Sequence, residues 1–237
     1  MSVTQTPALA AVFHPVDTPT TYEETVARLG SAIRLGILGP GERLPAERDL
    51  SDQLGISRST LRAALKTLNQ SGHLVAARGR SGGTFVTAEP PGPGTGVQIA
   101  EGTWREVLDH RTAIELGVVH LAAERATRDD VARLEDLIGE MDKVTEDLPS
   151  FRRCDARFHI TLAEITGSQR LVLSMTAAQD ELSRLLEIIP GPAEVLEASN
   201  AAHRRISDAV RRKNPVAAVK RMNEHIQATE LIAEALA

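Results

Sequence analysis

Residues 88–102 read AEPPGPGTGVQIAEG. A run this dense in Pro and Gly, with no hydrophobic period, makes neither a helix nor a strand, so it divides the chain in two. A chain of 237 residues is long enough for two domains of ordinary size. The partition read from the sequence is a mobile tail over 1–19, a first domain over 20–88, a linker over 89–103 and a second domain over 104–237. Gly92, Gly94 and Gly96 in the linker are not read as a phosphate-binding loop, because no strand precedes them and no helix N-terminus follows directly.

Aromatic residues make up 3% of the chain against 42% apolar overall, so both cores must be built from Leu, Ile, Val and Ala, a palette that favours helix on helix. No apolar run approaches the roughly 18 residues needed to span a bilayer. The short apolar stretch Ala8–Phe13 has no Lys or Arg before it, unlike a signal peptide. The single cysteine, Cys154, rules out an internal disulfide and fits a reducing compartment. The expectation is a cytoplasmic protein with no membrane partner. Its net charge of −5 hides an asymmetry: residues 1–88 carry nine Lys/Arg against seven Asp/Glu, and Gln53 to Ala88 holds five basic residues and no acidic one. A local basic patch of this kind can bind a polyanion on an acidic protein.

In the first domain, one helical pattern runs from Thr21 to Leu35, with Val26, Leu29, Ile33 and, beyond its end, Ile37 on one face. Two shorter patterns follow, Ala46–Leu54 and Ser57–Gln70, separated only by Gly55-Ile56. Strand-like runs at His73–Ala77 and Thr84–Thr87 flank the turn RGRSGG. This is the layout of a winged helix-turn-helix. Leu50, Leu54, Ile56, Leu61, Leu65 and Leu68 form the shared seam, Gly55 supplies the positive φ of the tight turn, and Ser57 caps the second helix. The outer face of that helix presents Arg58, Ser59, Arg62 and Lys66, and long cations there suit the major groove of double-stranded DNA. Arg78 and Arg80 on the hairpin turn would reach phosphates or the minor groove.

The run LPAERDLSDQLGISRSTLRAALKTLNQSGHLV, closed by RSGGTFV, resembles the winged-helix domain of the GntR family of bacterial regulators over about residues 20–87. The resemblance implies a homodimer on a short palindromic operator, with DNA contacts at Arg48, Arg58, Ser59, Thr60 and Arg62 and with Gly79 in the wing. It also implies a repressor. The family usually carries an acidic residue where this chain has Ala63, which puts one helix contact in doubt but not the fold.

Beyond the linker the pattern is helical throughout, in six segments at roughly 104–127, 130–147, 150–166, 169–189, 194–212 and 215–236. The expected fold is mainly α: a winged helix-turn-helix with a small β wing, then an all-α antiparallel bundle. Polar residues interrupt its apolar stripes. Asp155 and His159 stand four apart in the stripe Phe151, Phe158, Leu162, Ile165; His203 lies in line with Leu196, Ile206 and Val210; His225 lies in line with Ala218, Met222, Thr229 and Ile232. One such histidine reads as an ordinary core residue. Four ligand-type side chains facing inward from three helices point to one divalent cation per subunit, which removes the several kcal/mol penalty of an unpaired buried carboxylate.

The pattern DARFH, a later HRRI and a last-helix His followed by Ile resemble the FCD effector domain of the FadR-type GntR subfamily, and six helices rather than seven suggest its smaller VanR-like form. The resemblance implies metal binding by Asp155, His159, His203 and His225. Zn²⁺ is the favoured ion, with Ni²⁺ or Mn²⁺ as alternatives. Arg111 interrupts the stripe Trp104, Val107/Leu108, Ile114, Val118, Leu121 and has two readings: an internal pair with Glu115 that stiffens the helix, or a guanidinium that holds the carboxylate of a small effector. Two other functions stay open on sequence alone. The ion itself could be the signal of a metal-responsive regulator, or an Asp/His₃ site with free positions could activate water in a metalloenzyme.

Overall fold

The computed structural model describes residues 19–77, 79, 82–91, 103–186 and 191–236, with side chains to Leu231. The expected N-terminal tail, most of the linker, and Arg78 and Arg80 lie outside the described residues. Among the described residues the architecture is mainly helical with one two-stranded sheet.

The first helix, α1 (Thr21–Arg34), is started by a capping box. The Thr20 hydroxyl accepts from the Glu23 N–H while the Glu23 carboxylate accepts from the Thr20 N–H at 2.7 Å. Leu29 and Ile33 bury against α3, whereas Ile37 is 42% exposed. The helical period ends at Arg34, and Gly36, at φ 68°, turns the chain before Ile37 can join the stripe. Helices α2 (Glu47–Leu54) and α3 (Arg58–Gln70) are joined through Gly55 in the left-handed region at φ 66°, and Ser57 caps α3 by accepting from the Thr60 N–H. Leu50, Leu61, Leu65 and Leu68 form the expected seam with Leu54 and Ile56 half-buried at its edge. Strands β1 (Leu74–Ala77) and β2 (Gly83–Val86) pair antiparallel from Leu74↔Val86 to Ala77↔Gly83. The ladder therefore begins one residue later than the sequence pattern suggested and takes in Gly83 rather than Thr87, whose hydroxyl instead donates to the Gly72 carbonyl.

The second half contains α4 (Thr103–Arg125), α5 (Arg128–Asp142), α6 (Leu148–Ile165), α7 (Gln169–Leu186), α8 (Ala193–Arg211) and α9 (Pro215–Leu236). The second of these ends at Asp142, short of the expected 147. The chain turns through Val144 and Asp147, whose N–H groups donate to Met141 and Val144, and Asp147 then caps α6 ahead of Pro149. Helix α4 packs against α6, α7, α8 and α9, so it is the centre of the bundle. Val118, Val119, Ala122 and Ala123 are all buried, and the small residues let neighbours approach on several sides of α4. That is why its apolar residues do not confine themselves to one stripe.

The two halves touch where α1 ends. Arg34 donates through Nε and Nη2 to Asp180 Oδ1 on α7 at 3.1 and 2.7 Å. Leu35 belongs to the core of the helical bundle and not to that of the winged helix. Among the described residues no helix is long and apolar enough to cross a membrane.

A Cβ at position 55 would meet no atom within 4 Å, so the only obstacle to a side chain there is the left-handed backbone. Gly55→Ala should therefore destabilise the winged helix by about 1–2 kcal/mol, read as a lower urea midpoint with an unchanged slope.

Candidate metal centre and nucleic-acid interface

The inward-facing polar residues of the bundle come together. One ligand-type atom from each of Asp155 and His159 on α6, His203 on α8 and His225 on α9 lies within 4.8 Å of all the others. The spacing of four residues places Asp155 and His159 on one face of α6, and the crossings of α8 and α9 bring the other two imidazoles opposite. Ring centroids are 4.6 Å apart for His203 and His225, 5.3 Å for His159 and His225, and 5.5 Å for His159 and His203. His203 Nε2 stands 3.3 Å from Asp155 Oδ1 and His159 Nε2 stands 4.0 Å from Asp155 Oδ2.

Burial makes this arrangement costly unless something occupies its centre. His159 and His203 are fully buried and His225 nearly so. Both nitrogens of His159, both of His203 and Nε2 of His225 have no hydrogen-bond partner, and buried polar groups are rarely left so. Burial, followed by the charges of His159 and Arg111, holds His203 well below the usual imidazole range; burial, followed by His203 and Arg111, does the same for His225. Both are thereby kept in the neutral form that can donate a lone pair to a metal. Burial pushes the Asp155 carboxyl upward, although 19% of its side chain still meets solvent. A proton and a metal ion are the two ways to relieve that carboxylate. Each neutral imidazole offers one lone pair, so His159, His203 and His225 bring three nitrogen donors to the Asp155 carboxylate, a set that fits a cation.

The sequence reading missed what stands behind His159. Glu115, on α4, is completely buried. Its Oε1 accepts from Arg111 Nε at 2.8 Å and from Gln179 Nε2 at 2.7 Å, and its Oε2 lies 3.0 Å from His159 Nδ1. This last contact is close without having hydrogen-bond geometry. Burial alone would raise the Glu115 carboxyl, but Arg111 and then His159 outweigh it and hold the group far below the usual carboxylate range. The Arg111–Glu115 pair is thus present, as one reading of the sequence had it. The pair does not exhaust Arg111, because Nη1 is buried with no partner and the residue lines a cavity of about 450 Å³ together with Asp155 and His225. The pair is observed, and the effector role of Arg111 is taken up below as a proposal. Gln179 was visible only as a polar residue in the stripe Met175, Ala178, Leu182, Leu185, a weak signal in isolation.

Of the other histidines in the described residues, His110 pairs with Glu181 and His73 with Ser71, neither near the cluster. Cys154 is half-buried beside Glu140, and burial raises its thiol, which suits no redox role.

On the winged helix, Arg48, Arg58, Ser59, Arg62 and Lys66 are exposed and Thr60 is half-buried. The Ser57 hydroxyl is hydrogen-bonded to those of Ser59 and Thr60 at 2.8 Å each, so both belong to the helix cap. Arg62 is not free: its Nε donates to Glu47 Oε2 at 2.6 Å. The absence of acids from Gln53 onward concealed that partner, which comes from α2. Gly79 is at φ 108°, a conformation that explains a glycine in the wing turn.

A winged helix-turn-helix with an exposed cationic second helix, set in front of an all-helical bundle, defines a DNA-binding transcription regulator. Residues 21–86 match the model of the bacterial regulatory proteins of the gntR family and residues 106–228 match that of the FCD domain. The chain belongs to the gntR family of bacterial regulators, in the group with a C-terminal FCD domain. It is 35% identical over 94% of its length to a protein of Mycobacterium gastri named as the HTH-type transcriptional regulator RmpR, of which 84% is covered. It is 28% identical to the HTH-type transcriptional repressor NanR of Cronobacter sakazakii, over 84% of this chain and 79% of that one. Escherichia coli McbR/YncC has the same fold, with a TM-score of 0.59 at 20% identity over 92% of this chain and 99% of that one. The families and relatives are transcriptional regulators, not enzymes, and the metalloenzyme reading is set aside.

Glu115→Ala would leave the Arg111 guanidinium buried without a counter-charge and should lower stability by roughly 3–5 kcal/mol in chemical denaturation. Replacing both partners, Arg111→Met with Glu115→Leu, should cost clearly less than Glu115→Ala alone. Equal losses would mean that the pair is not electrostatically coupled.

Proposed function

We propose that the protein is a cytoplasmic repressor. As a homodimer it binds a short palindromic operator in double-stranded DNA, and a small carboxylate effector held in the helical bundle sets that affinity. The observation that carries this reading is the shared cavity: one space is lined by two members of the Asp155/His159/His203/His225 cluster and by Arg111. The four side chains would hold one divalent ion, Zn²⁺ by preference and Ni²⁺ or Mn²⁺ by the same donors. The ion would supply coordination positions for an oxygen ligand. Arg111 Nη1, already dehydrated and unpartnered, donates to a carboxylate without further desolvation. A ligand that prefers one placement of the winged helix over another changes operator affinity by that preference, typically about 5- to 150-fold. Release from DNA is the expected sense, in keeping with the relatives that are named repressors.

Arg48, Arg58, Ser59, Thr60, Arg62, Lys66 and Gly79 form the proposed DNA surface, extended by Arg78 and Arg80. Arg62 must leave Glu47 before it can reach a base. Arg58→Ala and Arg62→Ala should each weaken specific operator binding by about 1–3 kcal/mol, while Lys66→Ala should mainly flatten the dependence on salt. Operator binding by both arginine variants at wild-type strength would move the recognition surface elsewhere.

The purified protein should hold about one divalent ion per subunit, and chelation should lower its melting temperature, because only the folded chain assembles the four donors. His203→Ala should lose the ion yet keep its helical content. Reversible loss of operator binding at buffered free metal, without any effector, would make the ion the signal. For Arg111 the informative change is Arg111→Lys, since Arg111→Ala strands Glu115. The lysine keeps the charge but not the planar fork, and should weaken effector binding at least tenfold while metal content stays at one.

A further inference from the structure

The effector cavity has a charge balance and a lining that narrow what it can accept. Arg111 contributes one positive charge and a divalent ion two; Glu115 and Asp155 contribute one negative charge each, and metal-bound imidazoles are neutral. The inner site therefore carries a net charge of +1. The same cavity is also lined by Arg152 and by the exposed Glu194, Arg205 and Glu224, two of each sign, with Glu224 paired to Arg221. One carboxylate neutralises the site. A second carboxylate held among the buried apolar side chains would be left without a counter-charge, and an uncompensated buried charge is strongly unfavourable.

The rest of the lining is mainly apolar, with Ser199 and Thr229 as its polar members. Leu148, Phe151, Leu182, Leu186, Leu196 and Ala202 supply its apolar part from α6, α7 and α8. A hydroxyl-bearing chain placed against Leu and Phe would lose its hydrogen bonds to water and find none in return. A volume of about 450 Å³ exceeds what a two- or three-carbon acid fills and falls within the range of cavities that hold small organic ligands.

We infer that the effector is a monocarboxylate with an apolar body, its head between the ion and Arg111 and its tail against the leucine wall, and not a di- or tricarboxylate or a sugar acid. This rests on the effector site proposed above and adds the class of molecule that the site selects.

The test is calorimetric titration of the zinc-loaded full-length protein, followed by operator titration at saturating ligand. The probes are butanoate, hexanoate, octanoate and phenylacetate, set against succinate, citrate and gluconate, with octan-1-ol as the uncharged control. Affinity should rise about fourfold for each added methylene until the cavity is full. Octanoate should bind at least tenfold more tightly than succinate, citrate or gluconate, and octan-1-ol should bind far more weakly than octanoate. Ala202→Leu, which shortens the apolar space and leaves the ion and Arg111 untouched, should penalise octanoate at least fivefold and butanoate little. Its melting temperature checks that the variant is folded. Tighter binding of succinate, citrate or gluconate than of octanoate would overturn this inference and leave a carboxylate site standing. Octan-1-ol binding as well as octanoate, or no carboxylate binding at all, would overturn the carboxylate site together with it.

Discussion

Glu115 is a carboxylate with no exposed surface near the middle of the most central helix of the bundle. Such a group is tolerable only when its charge is met and its oxygens are occupied. Arg111 meets the charge from one turn away, Gln179 occupies the same oxygen from α7, and His159 approaches the other from α6. Three helices are thus held in register by one side chain, and the consequences reach outward. His159 is placed where its second nitrogen faces Asp155 and the other imidazoles. Arg111 gives its Nε to Glu115, while its Nη1 is buried without a partner and the residue lines the cavity. The candidate metal ligands and the proposed effector contact depend on the same buried charge.

What could be read in advance follows the difference between local and tertiary information. Helix α3, its cap at Ser57 and the turn at Gly55 are local features written in adjacent residues, and they appear where the sequence placed them. The four members of the polar cluster were legible because each breaks an apolar stripe at a helical period, and an inward-facing histidine is visible without knowing what it faces. The Glu47–Arg62 contact crosses from α2 to α3 and was hidden, since only a charge count within the basic stretch was available. The end of α5 at Asp142 and the exposure of Ile37 were missed for a related reason. Left-handed Gly36 cuts off the period of α1 before Ile37, and after Lys143 the chain leaves the helix for the turns through Val144 and Asp147. Glu115 itself was seen as the neighbour of Arg111, but its second oxygen is addressed by α6, and periodicity along α4 holds no information about α6.

The winged helix and the bundle also differ in how their charge is arranged. On the winged helix the cations stand at the surface, where water screens them and any polyanion can compete for them; Arg62 is held in reserve by a partner that is itself exposed. In the interior of the bundle the charges are few, dehydrated and specifically paired. The first arrangement suits contact with a uniform phosphate backbone, and the second suits discrimination among small molecules that differ by a single charge or a few methylenes.

Gln179 and Asp180 are consecutive residues of α7, and their side chains diverge by about 100° around the helix. The first reaches inward to Glu115, and the second reaches back to Arg34 at the end of α1 and along its own helix to Arg184. One turn of helix therefore anchors the innermost polar network of the bundle and the stalk of the winged helix. Rotating α7 to improve either contact would spoil the other, so this turn ties the polar network of the bundle to the end of α1. Whatever shifts the buried carboxylate network therefore also shifts the end of α1, which the bundle core holds a second time through Leu35.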